Sequence, residues 1–261
     1  MNNQTVLELS NRTLDNCLFS LIIIPTKIYY KEGENLVNEK EIYLFFYCNI
    51  QGKRRYLSCV FKDDYAKSSD WYNLLLTFKS RGINVILYSI IPNNTQLCKA
   101  LKLAFPENDS FISCFESITK LSKYYTITYS NGIFEKVRRI YLSKDLNEYE
   151  LAINDFKEEY LNYSFIYDLL EDDLKRAKQY YNVDYELRNF IFAFYFYRDH
   201  YKKISTISHS KTYFSSLDEF TQELIPDIQR IECRMFCPKK DLINIIDKLY
   251  TDKKDLIKLY L

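Results

Sequence analysis

An α/β fold is predicted: a five-stranded mixed sheet, an all-helical stretch, and C-terminal helices that complete the core. Three observations predict it. Three runs rich in Ile, Tyr, Phe and Val open the chain, a β-α-β-α-β succession continues from the third of them, and beyond residue 115 apolar residues recur at spacings of three and four. Residues 18–30, 41–50 and 55–61 read as strands, and Gly33 with Glu34 and Asn35, then Gln51 with Gly52, supply turns that make them an antiparallel meander. Trp71, Leu74, Leu75 and Phe78 fall at i, i+3, i+4 and i+7, which predicts a helix capped at Ser68 or Ser69 and stopped by Gly82. Residues 84–91, NVILYSII, are a continuous apolar run of the kind buried on both faces of a parallel sheet. A helix over 95–104 and a strand over 110–115 complete the sheet.

In the helical part, Leu146, Tyr149, Ile153, Phe156 and Tyr160 trace one amphipathic stripe, and Phe165, Leu169, Leu170, Leu174 and Ala177 a second. Residues 189–197, NFIFAFYFY, are apolar all round and predict a buried helix. A polar segment over 201–216 precedes two amphipathic helices, with Pro238 near a helix start and Leu242, Ile245, Ile246 and Leu249 on one face. The chain thus divides into a sheet core over 1–115, an all-helical insertion over 116–200, and C-terminal helices over 201–261.

Composition narrows the chemistry. With 36 Lys+Arg against 35 Asp+Glu, the formal charge is +1, so bulk charge does not draw this chain to nucleic acid. The four glycines are isolated, which excludes a dinucleotide fingerprint and a P-loop, and no nucleotide or other cofactor is expected. Residues 1–16 carry no basic stretch followed by an apolar core, and the apolar runs 21–24 and 190–197 are shorter than the roughly 20 residues of a membrane helix. A cytoplasmic protein without membrane contact is expected. The cysteines at 17, 48, 59, 98, 114, 233 and 237 are dispersed in apolar segments, as reduced core thiols are. Cys233 and Cys237 lack further zinc ligands, and His200 and His209 lack the partners of a triad or metal site, so all four are read as structural. The abundant Tyr and Phe are read as core packing.

Several segments share one order and spacing. Asn11-Arg12-Thr13-Leu14-Asp15 precede the first strand and Lys27, and Asn49-Ile50-Gln51-Gly52-Lys53-Arg54-Arg55 link two strands. The helix of Trp71, Leu74, Leu75 and Phe78 ends in FKSRG, then come Leu97, Ala100, Phe105, Pro106 and Cys114, and Arg230 to Leu249 with Phe236 and Pro238 close the chain. Together these resemble the catalytic part of mutator-type transposases, a bacterial insertion-sequence family. The resemblance implies a ribonuclease-H-like fold, and in that family three carboxylates serve DNA transposition.

The resemblance also assigns positions for those carboxylates: Ile22 for the first, Pro92 or Ile90 for the second, and Lys211 for the third, none of them an acid. The family's C-x-x-H becomes Cys114-x-x-Ser117, and its N-terminal DNA-binding part has no counterpart here. A Mg²⁺ pair needs carboxylate oxygens to hold it and offset its charge, and Ile, Pro and Lys supply none. No catalytic residue and no metal ligand are therefore expected, and a lysine at the third position would set a positive charge beside the old metal site. Asp63-Asp64 and Glu171-Asp172-Asp173 are read as solvated charges.

Phosphate contacts need clustered cations, and three clusters qualify: Lys53, Arg54 and Arg55 at a turn; Lys136, Arg138 and Arg139 in the helical part; and Lys202, Lys203 and Lys211 in the polar segment. The expected function is that of a catalytically inactive, repurposed transposase relative that binds DNA or a protein partner, a second copy of itself included. One alternative is a protein-interaction scaffold with no affinity for nucleic acid. The other is an active transposase or nuclease that uses substitute acids.

Overall fold

Two long strands, β1 (Cys17–Glu32) and β2 (Leu36–Asn49), pair antiparallel along nearly their whole length, from Leu18 opposite Asn49 to Glu32 opposite Leu36. The computed structural model describes residues 8–9, 11–33, 36–115, 117–118, 127–192, 194–233 and 239–259. Glu34 and Asn35 of the first turn, the predicted boundary residue Glu116, and Phe236, Cys237 and Pro238 lie outside the described residues. β3 (Arg54–Phe61) adds antiparallel to β2, while β4 (Val85–Ile91) and β5 (Asp109–Ile112) follow on the other side, giving the order β3-β2-β1-β4-β5. β1 and β4 run parallel, with Cys17 opposite Val85 and Ile22 opposite Ile90. The protein is therefore α/β with a mixed five-stranded sheet.

Between the later strands lie α1 (Ser68–Ser80) and α2 (Thr95–Ala104). Their apolar stripes, Trp71, Leu75 and Phe78 on α1 and Leu97, Ala100 and Leu101 on α2, pack into one core with Leu21 and Ile23 of β1 and Tyr43, Phe45 and Tyr47 of β2. Each such large side chain contributes roughly 1.5–3 kcal/mol by burial. Asn94 caps α2 through its Oδ1, which accepts from the N–H groups of Gln96 and Leu97 at 3.1 and 3.0 Å. The cap of α1 is Lys67, one residue before the expected serines, because its N–H donates to Asp70 Oδ2 at 2.9 Å and closes the first turn. Gly82 ends the helix with φ of +117°, where an added Cβ would stand 3.0 Å from the Leu14 carbonyl oxygen.

The C-terminal helices are α7 (Phe194–Ser208), α8 (Leu217–Glu232) and α9 (Lys239–Lys258). The predicted polar segment is therefore helical as far as Ser208. Its stripe of Phe196, His200, Ile204 and Ser208, all buried, repeats every four residues and was hidden by the polar residues between. Within the predicted helix 189–197, residues up to Phe192 are helical in α6 (Tyr185–Phe192) and those from Phe194 in α7. α8 packs against β3. Arg12 donates to the Tyr56 carbonyl, Glu232 Oε1 accepts from the Tyr56 N–H at 2.9 Å, and Arg81 Nη1 donates to the Leu57 carbonyl at 3.2 Å. These side chains occupy the outer edge of β3, the sheet's last strand.

The chain forms two compact units, one of residues up to Ser110 together with those from Tyr195 onward, the other Phe111–Phe194. Their borders lie at 110/111 and 194/195, where the sequence suggests 115/116 and 200/201. The second unit holds α3 (Ile127–Tyr141), α4 (Leu146–Glu159), α5 (Ser164–Arg176) and α6. Tyr141, Tyr180 and Phe192 form an aromatic cluster with centroids 4.6–5.5 Å apart. Arg188, 2 % exposed, ends α3 by donating to the carbonyls of Ser143 and Lys144 at 2.7 and 3.0 Å. Burial lowers its pKa from the usual guanidinium value. Among the described residues no helix is long and apolar enough to cross a membrane.

Candidate functional site

Parallel pairing sets Ile22 directly against Ile90, and antiparallel pairing sets it against Phe46. Directly paired residues point to the same face of a sheet, so these three side chains share one face, opposite the α1–α2 core. All are buried, Ile22 and Phe46 at 2 % exposure and Ile90 at 0 %. Phe196 of α7 packs on Phe46, its ring 5.6 Å away in an edge-to-face contact. Pro92 lies two residues beyond Ile90, just past the end of β4, and is buried. Of the two candidates for a second carboxylate position, Ile90 is thus the one that faces Ile22.

One turn along α7 from Phe196 stands His200, and its Nδ1 lies 3.0 Å from Asp227 Oδ2 of α8. Both side chains are buried, at 7 % and 4 % exposure. Lys203 Nζ and Arg230 Nη1 approach the other carboxylate oxygen at 3.3 and 3.7 Å. Burial pushes the Asp227 carboxyl upward, but His200 and Lys203 outweigh it and hold it below the usual range. Asp227 was not singled out from sequence. Its signal was position, since Phe220, Leu224, Asp227 and Ile231 form the buried stripe of α8 and an acid within such a stripe calls for a partner.

Lys211 lies elsewhere. The segment that follows α7 joins the far end of the hairpin, where the Phe214 N–H donates to the Tyr29 carbonyl at 2.7 Å and the Lys31 N–H to the Phe214 carbonyl at 2.9 Å. Tyr30, paired with Phe214, is eight residues from Ile22, or roughly 26 Å along a strand that rises about 3.3 Å per residue. Lys211 therefore does not stand beside Ile22 and Ile90. Lys211 instead bridges Glu219 and Glu223 of α8 at 2.9 and 2.8 Å. The Ser215 N–H, the Lys211 ammonium and the Ser215 hydroxyl together lower the Glu219 carboxyl to about 2.

The remaining predicted contacts separate by what holds them. Lys53 is exposed at the β2–β3 turn, the Arg54 guanidinium lies 4.8 Å over the Phe196 ring, and Arg55 pairs with Glu232 at 3.2 Å. Arg12 shares Glu232 at 2.7 Å. Burial raises the Glu232 carboxyl, yet Arg12 and the Tyr56 N–H bring it below its ordinary value. In the second unit, Lys136 pairs with Glu159, Arg138 with Glu135 and Arg139 with Asp155. The side chain of Lys202 lies outside the described residues.

A family profile described as transposase, Mutator family, matches residues 2–214. The chain belongs to the Mutator family of transposases. No curated protein matches it. In this Mutator-family chain the matched range takes in all five strands and ends at Phe214, so α8 and α9 lie beyond it. A divalent metal pair does not fit the residues that stand where the resemblance places the family's carboxylates: Ile22, Ile90 and Pro92 offer no side-chain oxygen, and Lys211 brings a cation. Among the described residues no three His, Cys, Asp or Glu side chains converge as metal ligands.

Proposed function

We propose that this transposase-family protein performs no metal-dependent strand transfer and acts by binding DNA. The observation that supports the first half is the buried Ile22–Ile90 pair, which stands where the resemblance puts two metal-bridging carboxylates. The second half draws on family membership and on the basic clusters. Exposed ion pairs such as Arg139–Asp155, each partner 57 % exposed, are worth about 0–1 kcal/mol and yield readily to a phosphate. Lys53, Arg54, Lys136, Arg138, Arg139 and Lys211 are accordingly the proposed contacts. Arg55 and Lys203 are committed to the carboxylates of half-buried Glu232 and buried Asp227.

The test is binding of the purified protein to labelled single- and double-stranded DNA across a salt series, with and without Mg²⁺, alongside a strand-cleavage assay. Affinity that falls with salt, with no cleavage under any condition, is expected. Mg²⁺-dependent cleavage would revive an active enzyme built on substitute acids. Absence of binding at low salt would favour the second reading, a protein-interaction module, for which the pairing of so many predicted contacts with carboxylates already speaks.

A further inference from the structure

Residues 71–106, which run from α1 through β4 to the end of α2, hold Lys79, Arg81, Lys99 and Lys102 and not one Asp or Glu. α1 and α2 pack against each other, and their last turns bring two of these cations to one place. The Lys79 ammonium lies 5.1 Å over the ring of Phe105, just past α2, and Lys102 Nζ donates to the carbonyl of the next residue, Pro106, at 2.8 Å. Lys99 stands one turn back from Lys102 on the same exposed face of α2. The ring and the carbonyl carry no net charge, and among the described residues none of the three lysines forms an ion pair. Arg81 likewise meets only carbonyls, those of Leu9, Arg12 and Leu57. The cations of the second unit differ, since Lys136, Arg138 and Arg139 each have a carboxylate. Of the acids nearest in sequence, Asp70 is occupied at the opposite end of α1, where it accepts from the Lys67 N–H, and Glu107 is exposed just past Pro106 and engages none of these lysines. Last-turn lysines suit the negative ends of helices, but Lys99 lies in the middle of α2, whose first turn lacks the acid that the same dipole would favour.

Clustered cations without carboxylate partners attract a polyanion. The aromatic side chains of the segment select its kind. Trp71, Phe78, Tyr88 and Phe105 are buried and Tyr72 is half-buried, so the face offers no platform on which unpaired bases could stack. We infer that the outer face of α1 and α2 docks the phosphate backbone of duplex DNA through Lys79, Lys99 and Lys102, positioning the duplex without reading its sequence. The inference rests on the DNA-binding proposal and gives it a face whose charge is not already answered by the protein's own acids.

The test titrates the full chain against a labelled duplex of arbitrary sequence across a salt series, by anisotropy, with single-stranded DNA and polyglutamate as competitors. Lys79→Gln, Lys99→Gln and Lys102→Gln together remove the charges and keep the stems, so circular dichroism should not change. Their combination should weaken duplex binding about tenfold or more at low salt and make the log–log salt slope shallower by about 3. Glu107→Lys should act the other way, with tighter binding and a slope steeper by about 1, a gain that misfolding cannot produce. Duplex binding by the wild type that neither variant alters overturns this inference and leaves the DNA-binding proposal standing, all the more if Lys136→Gln with Arg139→Gln weakens it. No duplex binding by the wild type at low salt overturns both. Polyglutamate that displaces the duplex as well as unlabelled duplex does would overturn the choice of DNA and make an acidic protein the occupant, and preference for single strands would overturn the choice of a duplex.

Discussion

The centre of the sheet and the seam between α7 and α8 share one covered face but solve burial in opposite ways. Ile22, Phe46 and Ile90 are themselves buried hydrocarbon, and Phe46 packs edge-to-face against Tyr56 and Phe196. One helical turn away, His200, Lys203 and Arg230 gather around Asp227, where a buried carboxylate persists only with such neighbours. The contrast teaches where ionic chemistry can reside in this fold. At the seam a buried carboxylate draws partners from a second helix as well as from its own, and the Ile22–Ile90 pair, where the resemblance places two carboxylates, has no charged residue in it.

The sharpest way to break that contrast is to put acids back. Ile22→Asp combined with Ile90→Asp buries two carboxylates without partners, and a loss of at least about 4 kcal/mol, enough to unfold a marginal domain, is expected in chemical denaturation. A folded double variant that takes up Mn²⁺ would show the site to be open rather than closed. Next in size, Asp227→Ala should cost about 3–5 kcal/mol by stranding His200 and Lys203, while Asp227→Asn should cost less. Equal losses for the two would mean that the charge of Asp227 does no work at the seam.

Glu232→Gln removes the charge that holds Arg12, Arg55 and the Tyr56 N–H, and a loss of about 1.5–3 kcal/mol is expected by thermal denaturation. Acid should act on the same groups together. The carboxyls of Glu219, Asp227 and Glu232 all titrate below their ordinary values in the folded protein. Their stabilisation is therefore complete above the unfolded-state values near about 4 and is lost as pH falls through the folded ones. Tm should drop steadily below about pH 4, and carbon-detected titration should place Glu219 near 2. The smallest effect is expected at Arg139→Ala, under about 1 kcal/mol in stability, yet with a measurably shallower salt dependence of DNA binding.

Much of the scaffold was legible because it rests on local patterns. The strand runs, the helix of Trp71 and Phe78, and α2 over residues 95–104 each announce themselves in a window of a dozen residues. The distance to Lys27 picks out Ile22 in sequence, but that Ile90 rather than Pro92 pairs with it is visible only in the parallel register. What the sequence concealed are contacts between distant segments. Nothing near Lys211 indicates that Phe214 pairs with Tyr30, and nothing near Arg12 indicates Glu232, 220 positions away. The basic clusters looked available for the same reason, since their carboxylate partners come from other helices.

The side chains along the outer edge of β3 bear on how this protein behaves in a crowded cell. An edge strand with free N–H and C=O groups invites another chain to add to it, which is the first step toward fibrils. Here Arg12, Arg81 and Glu232 already satisfy Tyr56 and Leu57, and an incoming strand would have to displace charged groups to find a hydrogen bond. A sheet with so many aromatic residues is thereby kept from templating its own polymerisation, at the end where it would otherwise be most exposed to it.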